Sequence, residues 1–90
     1  MLKIRYSSKF KKDFKTIVKR GYDVKRLEKV LELLCKEQTL PQKYHDHALT
    51  GNYKDHRECH ITPNWLLIYK IEKDIFTLSL TRTGTHSDLF

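Results

Sequence analysis

Apolar and polar residues alternate at the start of the chain, where Leu2, Ile4 and Tyr6 are separated by Lys3 and Arg5. That period of two predicts a short strand with one buried face. Ser7 or Ser8 is placed to cap a following helix, because a serine hydroxyl accepts a free backbone N–H at a helix start. Phe10, Phe14, Ile17 and Val18 then recur at helical spacing with lysines opposite, and Gly21 ends the run as a residue that readily turns left-handed. A second stripe, Val24, Leu27, Val30, Leu31 and Leu34 with Cys35 beside it, follows a cap at Asp23 and is expected to stop at Leu40-Pro41. So short a link between two helices predicts an antiparallel hairpin.

Residues 42–51 carry no period and read as a surface loop. From Tyr53 to Ile61 alternation returns, with Tyr53, Asp55, Arg57, Cys59 and Ile61 on one face and Lys54, His56, Glu58 and His60 on the other. A turn at Thr62-Pro63-Asn64 leads into Trp65-Leu66-Leu67-Ile68-Tyr69, an unbroken apolar run that only a strand covered on both faces tolerates. After a turn at Lys73-Asp74, Phe76, Leu78 and Leu80 alternate with threonine and serine, and the tail from Thr83 to Phe90 closes the chain. The pattern predicts one α+β domain over residues 1–90. It is β-α-α-β-β-β, a two-helix hairpin packed on a mainly antiparallel four-stranded sheet.

Charge narrows the partners. Eighteen lysines and arginines against eleven acids give a formal charge of +7 on 90 residues, which predicts attraction to a polyanion such as RNA, DNA or an acidic protein segment. No apolar run approaches the roughly 20 residues of a membrane span and no signal-length segment opens the chain, so a cytoplasmic protein without a membrane partner is expected. Cys35 and Cys59 fit no metal or redox spacing and read as reduced, partly buried thiols.

Five histidines are the candidate chemistry. His45-x-His47 and His56-x-x-x-His60 look like metal-ligand spacings, yet residues four apart on a strand lie about 13 Å apart, too far to share one ion. Neither Cys-x-x-Cys nor His-Glu-x-x-His is present, and no metal or other cofactor is expected. Acid–base chemistry is the better reading, since a pair of histidines holds one base and one acid near neutral pH. With cations nearby the natural substrate is a phosphodiester, and RNA brings its own nucleophile in the 2′-hydroxyl. Trp65 reads either as a base-stacking ring or as core at a strand start, and Lys11, Lys12, Lys15 and Lys19 either as a solvated helix face or as a phosphate track. Leu89-Phe90, after a glycine-containing turn, suggests a tail that docks back on the sheet.

The order of elements together with DHALTGNYKDHRECHITPNWLLIYK and RTGTHSDLF resembles the YafQ branch of the RelE/ParE superfamily of bacterial toxins, from end to end and most specifically in the C-terminal half. The resemblance implies a RelE-like fold and a toxin of a type II toxin–antitoxin pair. Such a toxin enters the ribosomal A site and cuts messenger RNA without a metal, through attack by the RNA's own 2′-hydroxyl. By position it implies catalytic roles for His47, His60, Arg82 and His86, with His86 as general acid, and substrate contacts from Asn64, Trp65 and Phe90. The lysines of the first helix would meet ribosomal RNA. The implied partners are a cognate antitoxin, the ribosome and its message, and operator DNA only through the antitoxin complex. One position departs from the pattern: relatives often carry Pro-Asp-Trp where this chain has Pro63-Asn64-Trp65. Two rival readings stay open, a ParE-like poison of DNA gyrase and a non-catalytic basic binding module or co-repressor.

Overall fold

The computed structural model describes residues 1–90. Strand β1 (Lys3–Tyr6) leads through Ser7, whose side chain accepts from the Phe10 N–H at 2.9 Å, into helix α1 (Ser8–Lys19). Gly21 turns the chain with φ +78°, and the Asp23 carboxylate accepts from the Lys25 N–H to open α2 (Val24–Cys35). Phe10 and Ile17 of α1 and Leu27, Val30, Leu34 and Cys35 of α2 are buried, which matches the helical stripes apart from Val18, half exposed at 50 %. Helix α2 stops before the expected Leu40-Pro41 breaker, because the chain leaves the helical region at Glu37, whose φ is +56°.

The sheet departs from the four-stranded expectation. It has five strands in the order β1-β5-β4-β3-β2 and is mixed. The two-residue β2 (His47–Ala48) pairs antiparallel with β3 (Arg57–Thr62), which pairs with β4 (Trp65–Glu72), which pairs with β5 (Thr77–Gly84). At the other edge β1 lies parallel to β5, with Lys3 opposite Thr77 and Tyr6 opposite Leu80. Parallel neighbours need a long crossover, and here nearly the whole chain provides it. Strand β2 is too short to show any period, so residues 42–51 read as plain loop although they hold a 3-10 turn at Gln42–Tyr44, the buried Tyr44 and a sheet edge.

The two faces of β4 explain its unbroken apolar run. Trp65, Leu67 and Tyr69 point toward α1 and α2 and join the main core with Cys59, Ile61, Leu78 and Leu80. Leu66 and Ile68 point the other way and are covered by Leu89, Leu49 and Tyr53. Every residue from Trp65 to Tyr69 is at most 2 % exposed, so the strand is sandwiched rather than half-solvated. Phe76 does not continue the β5 alternation. It sits outside the strand with φ +49° and is 69 % exposed. Cys35 and Cys59 are buried free thiols, and burial pushes both up from the ordinary thiol range.

Candidate active site

Successive strand residues point to opposite faces, and that alternation builds the site. Glu58 and His60 stand opposite Ile68 and Leu66 in the β3–β4 ladder, on the face away from the helices. His47 of β2 is paired with Glu58 and joins them. Glu58 is 6 % exposed, and its Oε1 lies 3.6 Å from His47 Nε2 and 3.4 Å from His60 Nε2. One buried carboxylate oxygen is therefore shared by two imidazoles, each of which forms an ion pair with it on taking a proton. The ring of His45 meets the edge of His60 at a centroid distance of 5.7 Å, and that of His47 lies 6.4 Å from it.

The segment bearing His47 is pinned on the opposite face. Asp46 accepts from Arg57 Nε at 3.1 Å and Nη2 at 2.9 Å, and from the Tyr69 hydroxyl. Burial, and then the same carboxylate, hold the Tyr69 phenol above its usual range. His47 Nδ1 donates to the His45 carbonyl at 2.7 Å, which sets the tautomer and turns Nε2 toward Glu58. His45 itself sits at φ +47°, a left-handed conformation that non-glycine residues seldom adopt.

The tail supplies the opposing wall. Thr85 caps the short helix α3 (His86–Leu89) in a reciprocal box with Asp88, and Leu89 is the apolar anchor beneath it. The docking expected for Leu89-Phe90 therefore rests on Leu89. Phe90 is 57 % exposed and stacks on His86 at 4.8 Å, with Tyr53 edge-on at 5.7 Å. His60, Asn64, His86 and Leu66 line one cleft of about 610 Å³ between the β3–β4 turn and α3. His47 does not line that cleft.

Two expected residues are placed differently. Trp65 is 1 % exposed, donates from Nε1 to Thr83 Oγ1 at 2.8 Å and is met edge-on by Tyr22, so no face of its ring is free to stack on a base. The expectation of substrate contact from Trp65 is corrected to a core role. The Arg82 guanidinium is engaged by Asp13 of α1, with Nε at 2.7 Å and Nη2 at 3.1 Å, while Asp13 also accepts the Thr83 N–H at 3.1 Å. Only Nη1 is left free of Asp13. Lys11 and Lys15 flank a separate apolar groove between α1 and α2 that shares no residue with the histidine cleft, and Lys12 and Lys19 are exposed.

Glu58, Asp46, Asp13 and the Arg20–Asp88 pair carry no role in the sequence reading. Glu58 was signalled by the alternation that put it beside His60. Asp13 had no signal, since its partner is 69 positions away. No three His, Cys, Asp or Glu side chains are arranged to hold a metal ion, and no helix is long and apolar enough to cross a membrane.

A family model for the bacterial toxin of the type II toxin–antitoxin system, YafQ, matches residues 2–90. The chain belongs to the YafQ family. It is 41 % identical over 88 residues to the mRNA interferase toxin YafQ of Escherichia coli (strain K12), covering 97 % of this chain and 94 % of that protein. Among solved structures, a metal-bound toxin from Helicobacter pylori superposes with a TM-score of 0.94 at 53 % identity over the full length of both chains. The toxin in the E. coli DinJ–YafQ complex superposes with a TM-score of 0.90 at 40 % identity, covering 100 % of this chain and 99 % of that one. The five-stranded mixed sheet with two main helices is thus the YafQ architecture, and the chain is a toxin of the type II class.

Proposed function

We propose that this YafQ-family toxin is a ribosome-dependent, metal-independent endoribonuclease that cuts messenger RNA and is held in check by a cognate antitoxin. Operator DNA would be reached only through the antitoxin complex. The observation that carries the reading is the cleft shared by His60 and His86, with Glu58 bridging His60 to His47. A base and an acid on facing walls are what transesterification of RNA needs. The 2′-hydroxyl attacks the adjacent phosphorus, its proton passes to a histidine, and the 5′-oxygen leaves with a proton from His86. The products are a 2′,3′-cyclic phosphate and a 5′-hydroxyl end.

The cleft geometry favours His60 over His47 as base, with His47 and Glu58 setting its charge environment. Arg82 would meet the charge developing on the phosphoryl oxygens through Nη1, the nitrogen Asp13 leaves free. Asn64 on the rim offers hydrogen bonds in place of a carboxylate, and Phe90 offers an exposed ring to orient a base. Lys11, Lys12, Lys15 and Lys19 of α1 would contact ribosomal RNA, and the ribosome would supply the alignment of the message.

The deciding experiment adds the purified protein to a defined translation mixture and maps breaks in the message. Cleavage within translated codons, absent without ribosomes and absent for His86→Ala, is the expected result. Intact messages with trapped DNA gyrase would instead support the ParE-like reading. Harmless expression without either effect would support the co-repressor.

A further inference from the structure

His60 stands on the rim of two clefts. One is the cleft shared with His86. The other, about 790 Å³, lies between α2 and the 3-10 turn at Gln42–Tyr44 and is lined by Lys25, Arg26, Lys29, Lys43, His45 and His60, with Ile61, Thr62 and Pro63 among its further walls. Its lining holds four permanent cations and no acid. Lys25 and Lys29 are one helical turn apart and so share a face. Neither they nor Lys43 has an ion-pair partner, and Arg26 has only an exposed one, Asp23 at 4.0 Å. Elsewhere the strong arginine forks are already spent on carboxylates, Arg20 on Asp88, Arg57 on Asp46 and Arg82 on Asp13. This cleft therefore concentrates unneutralised cations with no acid, whereas the groove flanked by Lys11 and Lys15 is mostly apolar and includes Glu28.

We propose that this cleft holds the sugar–phosphate backbone of single-stranded RNA on one side of the scissile linkage, so that the strand runs along α2, passes over His60 and enters the cleft of His86. The inference rests on the endoribonuclease reading and deepens it. The four cations give phosphate contacts without base selection, and His60 and Pro63 line both clefts, so the two meet there. Lys11 and Lys15 do not serve this strand, because the groove they flank shares no residue with either cleft.

The test uses the full chain and an oligonucleotide carrying 2′-O-methyl groups throughout, which binds without being cut. Fluorescence anisotropy across a salt series compares wild type, Lys25→Ala with Lys29→Ala, and the equal charge loss Lys3→Ala with Lys9→Ala. At about 0.1 M salt the first variant is expected to bind roughly tenfold more weakly, and its plot of log K against log salt to be shallower by about 1.4, which is two single-strand phosphate contacts. The Lys3/Lys9 variant is expected to keep the wild-type slope. Equal losses in both variants would reduce the effect to net charge and overturn the proposal. So would a first variant that binds the oligonucleotide normally yet no longer associates with ribosomes, which would assign the cleft to ribosomal RNA. Lys43→Ala, outside α2, guards against a helix defect and should lower the slope by about 0.7. If the wild type binds in this way but leaves translated messages intact, the cleavage reading fails while the groove stands.

Discussion

Arg20, at the end of α1, grips Asp88 in the C-terminal helix with both arms of its guanidinium, Nη1 to Oδ2 at 2.6 Å and Nη2 to Oδ1 at 3.0 Å. The same carboxylate accepts the Thr85 N–H at 2.8 Å, and Gly84 gives it room, since a Cβ there would stand 2.8 Å from Oδ2. The helix carrying His86 and Phe90 is thus held by a tether at its polar side and by Leu89 at its apolar side.

Arg20 holds the Asp88 carboxyl well below the usual carboxylate range. A depressed folded value means the contribution is complete above the unfolded value of about 3.9 and is lost as pH falls through the folded one. Asp88→Asn is therefore expected to flatten the acid limb of the unfolding curve below about pH 4, followed by circular dichroism. It should also slow message cleavage by up to about 100-fold at neutral pH, the cost of misplacing a reacting group by about 1 Å. Wild-type rates in this variant would detach the tether from catalysis.

Glu58→Gln keeps the volume but removes the charge that two imidazoles share. Without that charge beside His60, cleavage is expected to be roughly 10- to 100-fold slower, at the lower end of what a positioned acid–base group contributes. Single-turnover cleavage in a translation mixture measures it. A variant as fast as wild type would leave Glu58 a merely structural acid.

Asp13 satisfies three donors with side chains of Arg82 and Asp13 only 20 % and 15 % exposed. Asp13→Ala leaves a largely buried guanidinium and the Thr83 N–H without their acceptor. A loss of about 2–3 kcal/mol is expected, less than for a fully buried pair, and the denaturant midpoint reports it. Arg82→Lys cannot restore the pair, because an ammonium lacks the fork.

Trp65→Ala should act on folding rather than on substrate. Truncating a fully buried tryptophan costs about 3–5 kcal/mol, and here it also strips the partner from Thr83 Oγ1, which itself donates to the Leu66 carbonyl at 2.7 Å. A large drop in Tm is expected. A folded variant with intact stability and impaired RNA binding would return the ring to the substrate.

Chelation separates the proton-transfer chemistry from any metal-assisted route. Cleavage by toxin dialysed against EDTA and returned to a translation mixture is expected to match the untreated protein. Restoration only by an added transition metal would assign the histidines to an ion.

Local periodicity carries the elements, and the sequence by itself determined most of them. The stripes of α1 and α2, the alternation that seats Cys59 and Ile61 opposite Glu58 and His60, and the sandwiched run Trp65–Tyr69 all follow from spacing, because side-chain direction is a local property of backbone geometry. Tertiary structure decided who meets whom. The pairing of β1 with β5, the recruitment of His47 into a two-residue edge strand and the capture of Arg82 by Asp13 join positions 69 or more apart or leave no period to read. The same holds for the histidines. Their number was legible, but only the register of β2, β3 and α3 made His60 the residue that faces Glu58, His86 and the basic cleft together. Trp65 shows the limit from the other side, since an aromatic at a strand start looks alike whether it stacks on a base or, as here, is sealed beneath Tyr22 and Thr83.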